Sequence, residues 1–128
     1  MERRGLEPTK RVAYFEYDFS VDGGVIGDIA LRGDSLPEGA VVTGGMVHVK
    51  STCTGGASAT ISLKVESAAD VMAATAMAGM VTNALLDVDP DGTAANAIRI
   101  TENGRQVVAT IATAALTSGK FIVALEYL

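Results

Sequence analysis

This chain has one cysteine, no tryptophan, three prolines and only six phenylalanines and tyrosines together. A single thiol, Cys53, excludes an intrachain disulfide and with it the stapled frameworks of small secreted domains. The missing tryptophan and scarce aromatics leave little with which to stack a sugar ring. No apolar run approaches the ~20 residues that a bilayer-spanning helix needs. The opening Met-Glu-Arg-Arg-Gly does not lead into the apolar centre of a signal peptide. The chain therefore reads as soluble and made in a cytoplasm. It also lacks an excess of basic charge: the net charge is −5. Residues 1–11 carry Arg3, Arg4, Lys10 and Arg11 against two glutamates, so the rest of the chain holds six basic residues against thirteen acidic ones. An acidic body argues against a groove that tracks nucleic-acid phosphates.

What is abundant is Gly, with 14 residues, and β-branched or small side chains. At 128 residues the chain is long enough to bury one core without staples. The expected organisation is a flexible basic arm over residues 1–11 and a single domain over 12–128. From Val12 to Phe19 the pattern alternates, with Ala13, Phe15, Tyr17 and Phe19 on one face and Glu16 and Asp18 on the other. Gly23-Gly24 then makes a turn. A second strand runs from Val25 to Leu31, with Val25, Ile29 and Leu31 inward and Gly27 as a bulge. Residues 34–39 are loop. A third strand, 40–50, is interrupted by Gly44-Gly45, where a kink is expected. Thr60 to Glu66 alternates most clearly, with Ile61, Leu63 and Val65 inward.

One stretch departs from this pattern. Ser67 followed by Asp70, an alanine-rich run and Gly79 reads as a capped short helix over residues 67–80. Beyond an irregular region, 83–92, a strand is expected over 95–101 and an Asn103-Gly104 turn. A closing hairpin then pairs 105–113 with 120–128 around Ser118-Gly119. The chain's last run, with Phe121, Val123, Leu125 and Tyr127 on one face, has the character of an organising strand. The fold expected is all-β: an antiparallel, jelly-roll-like β-sandwich of about seven or eight strands with one short helix or helical turn.

Candidate chemistry is sparse. Asp87, Asp89 and Asp91 alternate before Gly92, and carboxylates spaced this way can converge on Ca²⁺ around a tight turn. The closing glutamate of a calcium loop is absent, since position 98 is Ile98, so the competing reading is a polar turn whose aspartates bond their own backbone. Cys53 lies five residues beyond His48, past the strand end, so the two make a poor nucleophile pair and read as a strand histidine on the outer face and a semi-buried thiol. Glu16 and Asp18 read as a solvated strand face. No glycine pair is followed by the Lys-Ser/Thr of a phosphate loop. Catalysis is not expected, nor any cofactor other than calcium.

Three runs carry a family resemblance: Tyr17-Asp18-Phe19-Ser20-Val21-Asp22-Gly23-Gly24, Leu36-Pro37-Glu38-Gly39-Ala40-Val41-Val42-Thr43, and Ser58-Ala59-Thr60-Ile61-Ser62-Leu63. With the ending Gly119 to Tyr127, they resemble the small virion structural proteins of tailed bacteriophages, of the head decoration (cement) or head-fibre type. The resemblance implies a β-sandwich or jelly-roll subunit, assembly as a homotrimer, attachment to a capsid lattice built of major capsid protein, and no catalytic residue. It places the protein in the virion after synthesis in the bacterial host cytoplasm. A strand apolar on both sides suits such a lattice, so Val108 and Ile122 are expected to meet a neighbouring copy, and Arg3, Arg4, Lys10 and Arg11 a partner subunit. The alternative is a carbohydrate- or receptor-binding module of a phage tail or adhesion system, with the Asp87–Asp91 loop organised by calcium.

Overall fold

The computed structural model describes residues 10–128. Ten strands form two antiparallel sheets. They are β1 (Arg11–Asp18), β2 (Gly27–Ala30), β3 (Arg32–Gly33), β4 (Val41–Gly55), β5 (Thr60–Lys64), β6 (Met72–Ala76), β7 (Leu85–Asp87), β8 (Ile98–Arg99), β9 (Val108–Ala112) and β10 (Leu116–Tyr127). One sheet has the order β3-β1-β10-β4-β7, with β8 pairing the far end of β4; the other has the order β2-β9-β5-β6. Together they form an all-β sandwich, as expected from the alternation. The strand count rises from seven or eight to ten because β6 forms where a helix was expected and because β3 and β7 span only two and three residues. A period of two cannot show itself over so short a run.

β10 is the centre of the six-stranded sheet. It pairs with β1 from Arg11↔Tyr127 to Asp18↔Lys120, and its other edge pairs with β4 from Gly55 back to Val42. Its inward residues Phe121, Val123 and Leu125 are fully buried. Beside them lie Ala13, Phe15 and Tyr17 of β1 and Val42, Val47 and Val49 of β4. Ile61 and Leu63 of β5 and Ala109 and Ile111 of β9 close the core from the second sheet. Burying each large aliphatic or aromatic side chain stabilises the fold by ~1.5–3 kcal/mol. The Tyr17 ring stacks on Phe121 with centroids 5.1 Å apart. No polar or charged residue is buried as a whole among the described residues, although the side chain of Asp22 is only 8% exposed, in its pair with Arg32.

Several local expectations are corrected. First, residues 67–80 are not a helix. The Asp70 carboxylate accepts hydrogen bonds from the backbone N–H groups of Val65, Glu66 and Ser67 at 2.8–3.0 Å, which folds the chain back tightly. The following segment becomes β6, hydrogen-bonded to β5, and only Met77–Gly79 coils, as one 3-10 turn. Alanine's helix preference, a few tenths of a kcal/mol per residue, loses to sheet pairing and to burial of Val71, Met72 and Met80. Second, Phe19–Asp22 forms the one α-helix among the described residues, α1. Asp18 caps it by accepting from the N–H and hydroxyl of Ser20, where an extension of the strand was expected.

Third, the final two runs are not a hairpin. β9 pairs with β2 and β5, whereas β10 lies in the opposite sheet, so residues 113–115 cross from one sheet to the other. Gly119 does not make a turn; it sits inside β10 at φ +138, where a Cβ would come 2.8 Å from the Cα of Cys53 on β4 and into its sulfur. Fourth, Gly44-Gly45 does not break β4, which runs through for 15 residues with a register shift between Glu126 and Tyr127 of its partner. The expected strand over 95–101 shrinks to β8, preceded by a 3-10 turn over Ala94–Asn96. Of the basic arm, residues 1–9 lie outside the described residues, and Arg11 already begins β1 opposite Tyr127.

The Gly119 position yields a test. Gly119→Ala forces a left-handed backbone conformation on an L side chain and a collision with Cys53. It is expected to destabilise the protein by about 1–3 kcal/mol, read from the denaturant midpoint. An unchanged midpoint would refute the close approach of β10 to β4 as a constraint on this site.

Candidate functional site

The two outer faces of the sandwich differ in chemistry. Side chains on β1, β10, β4 and β7 that point away from the core form rows set by register. One row holds Tyr14, Ala124, Met46 and Asp87; the next holds Glu16, Ile122, His48 and Leu85. Val12 stands opposite Glu126 above them. Tyr14 is 56% exposed, Leu85 63% and Met46 45%, so the flat of this sheet is a largely apolar surface. Its charges are spent on one another: Arg32 lies 3.2 Å from Glu16 and binds Asp22 through two nitrogens at 3.0 and 3.1 Å. Lys120 approaches Glu16 at 3.9 Å, and Lys10 approaches Glu126 at 3.6 Å. Exposed pairs of this kind contribute little to stability, but they leave the face nearly neutral.

The outer face of the four-stranded sheet is small and polar. Asp28 of β2 binds Lys64 at 2.9 Å and the Thr110 hydroxyl at 2.7 Å, and these hydrogen bonds hold its carboxyl below the usual carboxylate range. Val108 and Ala112 of β9 alternate with Thr110 there. Ile122 and Val108, expected to act together against a neighbouring copy, therefore lie on opposite outer faces. Ile122 belongs to the apolar surface; Val108 borders a shallow depression of about 410 Å³ that Lys64, Glu66, Glu102 and Arg105 also line.

The aspartate loop is a set of separate anchors. Asp87 ends β7 across from Met46, and Asp89 donates its N–H to the Val71 carbonyl at 2.7 Å. Asp91 accepts from the Thr93 N–H, the Thr93 hydroxyl and the Asn96 amide at 2.6–3.1 Å, and these bonds hold its carboxyl below the usual range. Among the described residues no three Asp, Glu, His or Cys side chains gather in a metal-binding set. His48 and Cys53 point to opposite sides of β4: His48 is half-buried on the outer face, while Cys53 is in the core. Burial pushes the Cys53 thiol up to about 11, which keeps it protonated and unreactive at neutral pH. Lys10 is exposed, and Arg3 and Arg4 fall outside the described residues.

One polar cluster had no signal in the sequence. Glu66 accepts from the Thr101 hydroxyl at 2.7 Å, the Thr101 N–H at 3.2 Å and Arg105 at 2.8 Å. Its partners lie 35 and 39 positions away, and only the turn at Asn103-Gly104 brings them round to the end of β5. This cluster ties the crossing loops together.

No family model matches the chain, and no curated protein matches it. Solved structures do. A chain of the capsid asymmetric unit of cyanophage Pam1 is similar with a TM-score of 0.66 and 24% identity, over 99% of this chain and 89% of that one. A chain from the acidic stable capsid of Helicobacter pylori bacteriophage KHP30 gives 0.63 and 17%, over 94% and 87%. One from the capsid of Ralstonia phage GP4 gives 0.58 and 19%, over 92% and 84%. At these identities the likeness is one of fold.

Glu66 sets an acid limb of stability. The Thr101 hydroxyl, with Arg105 behind it, holds the Glu66 carboxyl below its usual range. A carboxylate whose pKa is lower in the folded than in the unfolded chain stabilises the fold above its unfolded value, about 4.3, and loses that share as pH falls through the folded value. Glu66→Gln is expected to lower Tm at neutral pH and to converge with the parent chain once the pH lies well below the unfolded value. Equal Tm differences at both pH values would refute the assignment.

Proposed function

We propose that this chain is a non-enzymatic structural subunit of a phage virion that decorates the outside of the head as a homotrimer. The major capsid protein is its docking partner, and the basic residues Arg3, Arg4, Lys10 and Arg11 provide part of the contact. The observation that carries this reading is agreement in fold, over nearly the whole length of both chains, with a chain of the Pam1 capsid asymmetric unit. The distribution of chemistry supports it. The buried residues are apolar, the described carboxylates largely serve turns and ion pairs, and the unspent surface is an apolar sheet face. Such a surface suits association rather than turnover.

Purified protein added to heads that lack it should bind saturably and raise the temperature at which the heads release their DNA. Arg3→Glu with Arg4→Glu should weaken that binding by roughly five- to tenfold at low salt, less at high salt, and leave Tm unchanged. Heads that take up none of the protein would overturn the decoration role. Undiminished binding by the double variant would overturn the part assigned to the arm.

A further inference from the structure

Among the described residues, four that are not glycine take a positive φ: Ser58, Ala69, Asn83 and Thr113. Thr113 is the β-branched one, and a branched side chain at φ +73 is a steric outlier. Eight glycines take positive φ elsewhere in the fold, yet none stands here. The turn is also tight. The Ala114 N–H donates to the Ala112 carbonyl at 2.8 Å, a bond across one residue that, with this φ, makes the strained form of the γ-turn.

The place of this turn gives it consequence. Residues 113–115 carry the chain from β9 in the four-stranded sheet to β10 in the six-stranded one. Thr113 and Ala115 are exposed, so burial does not hold the turn. The bonds that follow it, from the Gly56 N–H to the Ala115 carbonyl at 3.0 Å and from the Leu116 N–H to the Gly24 carbonyl at 2.8 Å, belong to the seating of β10. They can be made again wherever that strand is seated.

We propose that copies of this chain exchange β10: residues 113–115 straighten, and Leu116–Tyr127 of one copy seats between β1 and β4 of another. Register selects the occupant. The slot between β1 and β4 takes Phe121, Val123 and Leu125 inward and Gly119 against Cys53, and the segment that satisfies it is β10 itself. Closed and exchanged forms share these contacts, so they differ chiefly at the hinge, where the closed form carries the strain. Short hinges under strain favour such exchange.

A second observation lies at the same end of the sandwich. Three extended residues span ~10 Å, so exchanging copies meet where the hinge is. Gly24, bonded to Leu116 at that end, leads into Val25 and Ile26, which are 76 and 54% exposed. A closed single copy leaves these side chains in water, whereas a copy joined at this end covers them. The exchange rests on the self-assembling reading above and names the element that the copies share.

Because β10 has both edges paired and its inward side chains fully buried, it exchanges while the chain folds. The protein is therefore refolded from denaturant at low and at high concentration, and its native mass is read by light scattering. The parent is expected to give, at high concentration, an oligomer that persists on dilution. Thr113→Gly takes the positive φ without strain and is expected to raise the ratio of monomer to oligomer by about fivefold or more. The exchange itself is read by bridging Val12→Cys to Glu126→Cys, register partners on the outer face of β1 and β10, with a short bis-maleimide in the folded oligomer. The native Cys53 is buried. On a denaturing gel the bridge is expected to join two chains, and either new cysteine alone to join none. Bridges that all lie within single chains, or that join chains as readily without the register partner, would overturn the exchange and leave self-assembly standing. A parent that stays monomeric at every concentration would overturn both. An unchanged ratio in folded Thr113→Gly would overturn hinge strain as the cause.

Discussion

The structure depends on one strand having both edges paired. β10 exchanges backbone hydrogen bonds with β1 along eight residues and with β4 along nearly its whole length. Its inward residues supply the middle of the core, and the Phe121 ring carries the stacked Tyr17. The close approach of β10 to β4 at Gly119 and Cys53 holds the far end of that pairing. Removing β10 would leave β1 and β4 as separate edges with no shared floor. In the four-stranded sheet β9 and β5 also have both edges paired, but its strands are only four or five residues long, and it contributes to the core by packing against what β10 has assembled.

From that arrangement the outer surface follows. A strand whose alternate residues are buried must turn the others outward, so Ile122 and Ala124 face away from the core beside Tyr14 and Met46. Had these positions been charged, the sandwich would be as stable and the flat would be an ordinary solvated face, like that of the other sheet. They are apolar, and the nearby charges are paired. Tyr17 links this surface to the α1–β2 loop. Its ring belongs to the core, its hydroxyl holds Gly23, and burial keeps the phenol far above its ordinary range and thus a hydrogen-bond donor at all physiological pH values. One residue therefore serves both packing and the placement of the exposed aliphatic loop.

Much of the fold was legible where strands exceed four residues. The alternation in β1, β5 and β10 identifies their inward faces correctly, and the prominence given to the final run agrees with its central place. Elsewhere the deciding interactions were remote in sequence. The helix expected over residues 67–80 gave way because Asp70 bonds three preceding N–H groups and because β5 offers an edge to pair with. The expected hairpin gave way because Leu116 bonds Gly24, some 90 residues earlier, and so enters the opposite sheet. Val25, placed inward by its alternation with Ile29 and Leu31, is the most exposed large apolar residue described, because the chain joins β2 only at Gly27. For the candidate site, Ile122 was legible as a residue on a two-sided apolar strand. Its neighbours Tyr14, Met46 and Leu85 come from three other strands, and only the register brings them together.

The most direct test of the proposed role is an electron-cryomicroscopy map of phage heads to which the purified protein has been added. The expected result is sandwich density on the outside of the head, in threes. A head surface without that density, or sandwiches standing singly, would contradict it.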